Sequence, residues 1–116
     1  MTYEQVGTAT VYRVVVSRLF SSEDVQTFRN DLQSVVERSA RPLVAVDFSS
    51  LEFISSRGLG VLVAMHKSVR AKQGGIVLFG ASAAIQHVLS TTKIDSLVPV
   101  VADKEQALVA LGKTQA

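Results

Sequence analysis

The order of hydrophobic patterns predicts an α/β domain: a mixed, mostly parallel sheet of about five strands packed against about four helices. Three observations carry this expectation. After Thr10, short β-branched runs alternate with longer stretches of helical period, which implies parallel pairing with right-handed crossovers and helices laid on the sheet. The run Leu43–Phe48 is apolar except for Asp47, as a short buried strand should be. No repeat, linker or low-complexity segment interrupts the chain, so its 116 residues, 47% of them hydrophobic, read as one domain with one core. That domain is expected to span residues 1–116, with 113–116 as a loose tail.

The elements follow in order. Thr2–Val6 and Thr10–Val16 are expected as strands with Gly7-Thr8 as the turn between them, since Val11, Tyr12, Val14, Val15 and Val16 suit a pleated surface. Ser21 followed by Asp24 forms a capping-box pattern. It opens a helix to about Arg38 with Val25, Phe28, Leu32, Val35 and Val36 on one stripe. Arg41-Pro42 closes that segment, because proline disfavours helix in the residue before it. The Leu43–Phe48 strand comes next, then a short loop that should carry Leu51, Phe53 and Ile54 into the core. A second helix follows with Leu59, Leu62, Val63, His66 and Val69 as its stripe, ending near Gln73-Gly74-Gly75. Ile76–Phe79 is a further strand, and Ser82 caps a third helix that buries Ala84, Ile85, Val88 and Leu89. Pro99 within Leu97–Val101 puts that run at a sheet edge. Asp103 with Gln106 begins a last helix with Ala107, Leu108 and Leu111 inward.

Composition narrows the function classes. Without cysteine there is neither a disulfide framework nor a thiolate metal site, which suits a cytoplasmic protein. No apolar run approaches the roughly 20 residues of a membrane span, and the polar start Met1–Gln5 is unlike a signal peptide. A scattered net charge of +2, with few aromatics and none interleaved with a basic cluster, argues against nucleic acid as partner. No residue pattern requires a cofactor. Gly58-Leu-Gly60 and Gly74-Gly75 lack the rest of any phosphate-cradling motif.

The stretch that organises the chain runs from Pro42 to Gly60. A strand ends, a loop returns to the core, and Ser55-Ser56 fall where a helix begins, against the unpaired N–H groups of its first turn. The run Val-Asp-Phe-Ser-Ser-Leu-Glu-Phe-Ile-Ser-Ser-Arg-Gly-Leu-Gly-Val-Leu, residues 46–62, resembles the signature of STAS domains, the family of anti-sigma factor antagonists and sulphate-transporter tails. In the family a strand ends in Asp-Leu-Ser, a phenylalanine follows, and Asp-Ser-Ser-Gly-Leu-Gly opens the helix. The serine phosphorylated in the antagonists falls on Ser56; the family's aspartate is Ser55 here and its second serine is Arg57. The resemblance covers most of the chain, because the order of elements around the signature fits as well. It implies a stand-alone anti-sigma factor antagonist, not an enzyme. Such a protein binds an anti-sigma factor that doubles as a serine kinase, releases it once Ser56 is phosphorylated, and is reset by a PP2C-type phosphatase. The alternative is a STAS docking subunit of a transporter or larger assembly that is not switched. The segment Ser17–Ser21 occupies the place of a Gly-x-Leu-Asp-like turn that helps dock the kinase, and Arg18 and Ser21 depart from it. The expected partner surface is Ser21, Ser22, Asp24, Ser55, Ser56, Arg57 and Gly58.

Other chemistry is weaker on the residues themselves. A hydroxyl at Ser55 or Ser56 also serves simply to cap the helix. A nucleophile elbow needs Gly-x-Ser-x-Gly; Gly58 fills one position, but Ile54 stands at the other. His66 lies roughly 15 Å along the same helix and His87 on another, which leaves a triad without its base. Asp47 lacks a second ligand at useful spacing for a metal and reads as an acceptor that fixes its own loop. Arg57 either folds back toward a phosphate on Ser56 or points into water.

Overall fold

The computed structural model describes residues 1–112, so the expected loose tail, 113–116, lies outside the described residues. Among the described residues seven strands, β1 (Thr2–Val6), β2 (Ala9–Arg13), β3 (Arg18–Leu19), β4 (Leu43–Asp47), β5 (Phe53–Ile54), β6 (Gly75–Phe79) and β7 (Val100–Val101), accompany four α-helices. These are α1 (Ser22–Glu37), α2 (Ser56–Ala71), α3 (Ala83–Thr91) and α4 (Lys104–Gly112). Five strands form the main sheet in the order β1-β2-β4-β6-β7, and β3 with β5 forms a separate two-stranded sheet. The β1–β2 pair is antiparallel across the Gly7 turn, where glycine accepts φ +60 without a Cβ clash. All later pairings are parallel.

Alternation along the strands sorts the core into two layers. Tyr12, Val44, Val46, Ile76 and Leu78 face one side and pack with the apolar stripes of α1, α2 and α3. Ala9, Val11, Leu43, Ala45, Val77 and Phe79 face the other, where Ala107 and Leu111 of α4 cover them. Each large side chain fully withdrawn from water contributes about 1.5–3 kcal/mol. The helices start as expected, with Ser21, Ser55 and Ser82 each accepting a backbone N–H three residues on. Gln73 at φ 59 ends the second helical segment, and Gly74 sits so close to Pro42 that a Cβ there would lie 1.9 Å from the proline carbonyl oxygen.

Several expectations are corrected. The second strand stops at Arg13 rather than Val16, because β4 runs out: Arg13 pairs with Asp47 and Val14 N–H donates to the Asp47 carbonyl. Val14 still enters the core, whereas Val15 is exposed. The buried face of α2 is Leu59, Val61, Leu62, Met65 and Val69, and Val63 and His66 are only half-buried. The face is set by α1 and the sheet together, which turn Val61 and Met65 inward. Burial also draws the His66 pKa below its ordinary value, with Arg70 adding to the effect. Ala84 is exposed and Val88 half-buried, so α3 buries only Ile85 and Leu89 fully. Leu108 is likewise half-buried. The edge run contains only Val100–Val101 as strand, after a 3-10 turn at Ile94–Ser96.

Candidate functional site: the start of the second helix and the strand beside it

The loop after β4 is fixed from within. Asp47 Oδ1 accepts the Ser49 N–H at 2.8 Å, the loop-holding role expected for it. The Ser17 carbonyl accepts two N–H groups, from Glu52 at 2.7 Å and Phe53 at 3.1 Å. That contact begins the parallel pairing of β3 with β5, which sets Arg18 opposite Phe53 and Leu19 opposite Ile54. Strand alternation then sends Leu19 and Ile54 into the core and Arg18 and Phe53 outward. Phe53 is therefore not a core residue, contrary to expectation: it is 41% exposed.

The pairing delivers the chain to the helix. Ser55 N–H donates to the Leu19 carbonyl at 2.9 Å, and Ser55 Oγ accepts the Gly58 N–H at 3.2 Å. Of the two serines, Ser55 is thus the cap. Ser56 is the first helical residue, exposed, and its hydroxyl makes no hydrogen bond among the described residues. The first turn of α2 holds no acidic residue, so the positive end of its dipole meets no carboxylate of its own. The first turn of α1 differs, carrying Glu23 and Asp24.

Arg57, exposed, reaches across to the start of α1. Its Nη2 donates to the Phe20 carbonyl at 3.3 Å and to Ser22 Oγ at 3.1 Å, tying the start of α2 to the start of α1. Ser22 and Arg57 are exposed, and Ser21 and Asp24 flank them half-buried. The sequence-predicted surface is thus assembled from two segments far apart in the chain. Gly58 is the exception. It is buried, and a Cβ on it would lie 2.8 Å from Ile54 Cγ1, so it serves close packing rather than the surface.

The sequence reading missed the most exposed aromatic cluster. Phe20 and Phe53 meet edge to face with centroids 6.1 Å apart, and the Arg18 guanidinium lies 5.1 Å from one ring centroid and 4.8 Å from the other. An available signal was the pair Phe53-Ile54 itself. In a strand that closes the core on one side, only one of two neighbours faces inward. Elsewhere, no group of three or more His, Asp and Glu residues is placed to hold a metal among the described residues. No helix among them is long and apolar enough to cross a membrane.

The architecture is a mixed sheet with three helices on one face and a fourth on the other, with Ser55 as the cap and Ser56 as the first residue of the second helix. The chain belongs to the STAS domain family, whose model matches residues 1–107. It is 29% identical over 90 residues to a protein of Bordetella bronchiseptica named as the anti-sigma factor antagonist BtrV, covering 78% of this chain and 77% of that one. Its fold matches a STAS domain protein from Planctomyces limnophilus with a TM-score of 0.82 at 24% identity, over 95% of each chain. It also matches the Bacillus antagonist SpoIIAA. The TM-score is 0.80 to the unphosphorylated form, at 19% identity over 97% of this chain and 96% of that one. For the phosphorylated form it is 0.72, at 20% identity over 94% and 96%.

Proposed function

We propose that this chain is an anti-sigma factor antagonist switched by phosphorylation of Ser56. Unphosphorylated, it binds and sequesters an anti-sigma factor that is also a serine kinase; phosphorylated, it lets go, and a PP2C-type phosphatase resets it. It acts in the cytoplasm, by binding and not by catalysis. The observation that carries this reading is the division of labour between the two serines. Ser55 takes the cap, which leaves the Ser56 hydroxyl exposed and without a hydrogen-bond partner among the described residues, at the head of a helix. The similarity to proteins named as antagonists supports it.

The electrostatics suit a switch. A phosphoserine carries about −1.5 to −2 charges at pH 7. At the start of α2, where no acidic residue precedes it in the first turn, the dipole favours the charge by roughly 0.3–1 kcal/mol, so the fold tolerates it. A partner pressed onto the same spot has to strip water from that charge. A loss of about 2.7 kcal/mol at the interface weakens binding a hundredfold.

The test is incubation with purified serine kinases of the ATPase type and Mg-ATP, followed by peptide mass spectrometry. One phosphate on Ser56 is expected. Phosphate on Ser55 instead, or none with a kinase that binds tightly, overturns the switch, and the latter outcome marks a docking subunit. Ser56→Ala should bind the kinase and fail to release it, while Ser56→Asp should fold and bind poorly. The footprint should include Ser21, Ser22, Asp24, Ser55, Ser56 and Arg57.

A further inference from the structure

We propose that Arg18, Phe20 and Phe53 grip the protein partner, and that the partner meets them with a carboxylate set between apolar side chains. The inference rests on the reading of this chain as a partner-binding protein and adds the chemistry of what it binds.

The cluster has no evident use in the fold. Leu19 and Ile54 already close the core beneath it at 0% and 5% exposure, so nothing internal requires the two outward rings. Phe20 and Phe53 nonetheless stay 49% and 41% exposed, side by side. Exposed aromatics paired with an arginine match the residue types that dominate binding energy at protein interfaces.

The cluster is also held in place before any partner arrives. The β3–β5 pairing fixes Arg18 and Phe53, and Arg57 holds the Phe20 carbonyl. Little ordering is left to be done on binding, which raises affinity for a given contact area. The same bonds join the cluster to the phosphorylation candidate, since Ser55 N–H is bound to Leu19 and Phe53 precedes Ser56 by three residues. One partner lying over the start of α2 covers both.

Charge selects the occupant. Glu23, Asp24 and Glu52 lie in the adjoining segments, yet no carboxylate among the described residues is within 4.0 Å of the Arg18 or Arg57 guanidinium. Arg18 is therefore left with aromatic faces as its neighbours and with a donor fork available to a carboxylate, which it binds bidentately. The rings on either side offer apolar surface to flanking aliphatic groups. A phosphate backbone is a poorer fit, because the three nearby carboxylates repel a polyanion while one carboxylate aimed at Arg18 can avoid them.

The experiment is an NMR titration of the labelled protein with two synthetic peptides of equal length, identical except that one places a single glutamate and the other a single lysine between leucines. The glutamate peptide should shift the Arg18 side-chain and the Phe20 and Phe53 amide signals, and the lysine peptide should not. Arg18→Glu should reverse that preference, and Phe20→Ala with Phe53→Ala should abolish the response of the Arg18 signals to the glutamate peptide. Shifts of equal size with either peptide, or shifts gathered on α4, overturn the proposal, as does a single-stranded oligonucleotide that shifts the cluster more than the glutamate peptide. A second arm measures affinity for a kinase that binds the wild type, with about a tenfold loss expected for Arg18→Glu. If that kinase binds Arg18→Glu unchanged, the grip is wrong and the antagonist reading stands. If the peptides behave as expected but no kinase binds, the antagonist reading falls and the grip stands.

Discussion

Ser55→Ala and Ser56→Ala differ by the position of one hydroxyl, and the structure assigns them different consequences. Ser55→Ala removes the acceptor for the Gly58 N–H, now 3.2 Å away, and leaves untouched the backbone bonds from Ser55 N–H to Leu19 and from Leu59 N–H to the Ser55 carbonyl. Loss of a serine cap costs about 0.5–2 kcal/mol. The bond is at the long end of its class and Ser55 is half-buried, so a value near 1 kcal/mol is expected, or roughly 4 °C in Tm for a domain of this size. Ser56→Ala breaks no hydrogen bond and places a good helix former in the first turn, so its effect should stay within about 0.5 kcal/mol. Urea denaturation followed by circular dichroism measures both, with the slope unchanged in each variant. Labelling by a serine kinase should show the reverse order, with Ser55→Ala still accepting phosphate on Ser56 and Ser56→Ala accepting none. If Ser56→Ala destabilises the protein as much as Ser55→Ala does, the second hydroxyl is engaged in the fold and the division of labour is wrong.

Gly74→Ala should lower stability by about 1–3 kcal/mol or more, because the new methyl meets the Pro42 carbonyl. Gly60→Ala, with nothing within 4 Å, should instead raise it by up to about 1 kcal/mol in the same denaturation assay. Tyr12 is buried and its hydroxyl donates to Asp31 Oδ2 at 2.7 Å; burial first, and then that carboxylate, raise its pKa well above the ordinary 10.0. The unfolded chain releases this proton first, so the Tyr12 contribution to stability should be intact below pH 10.0 and fall as pH rises beyond it. Tyr12→Phe should remove that part of the slope in urea curves recorded at rising alkaline pH. Arg57→Ala should cost less than about 1 kcal/mol, since both of its bonds are exposed. It should nevertheless speed amide exchange around Phe20 and Ser22, and unchanged exchange there would show that the tie does not hold the loop.

Much of this protein is local physics that a sequence displays. The helix starts at Ser21, Ser55 and Ser82, the turn at Gly7, the stop before Pro42 and the continuous burial of Leu43–Val46 each depend on residues within a few positions of one another. The signature around Ser56 belongs to the same class, and it led to the right family. What the sequence left open was decided by pairings across long separations. The β2 strand ends at Arg13 because β4 ends at Asp47, a limit that Val14–Val16, as good strand formers, give no sign of. Val61 and Met65 rather than Val63 and His66 face inward because α1 and the sheet together choose the face of a helix that is apolar on more than one side. Phe53 looks like a core residue until Arg18 pairs with it and turns it to solvent. Arg57 finds its acceptors 37 and 35 residues away, at Phe20 and Ser22. A side chain with several comparable orientations takes the one its distant neighbours stabilise, and only the folded chain brings those neighbours to it.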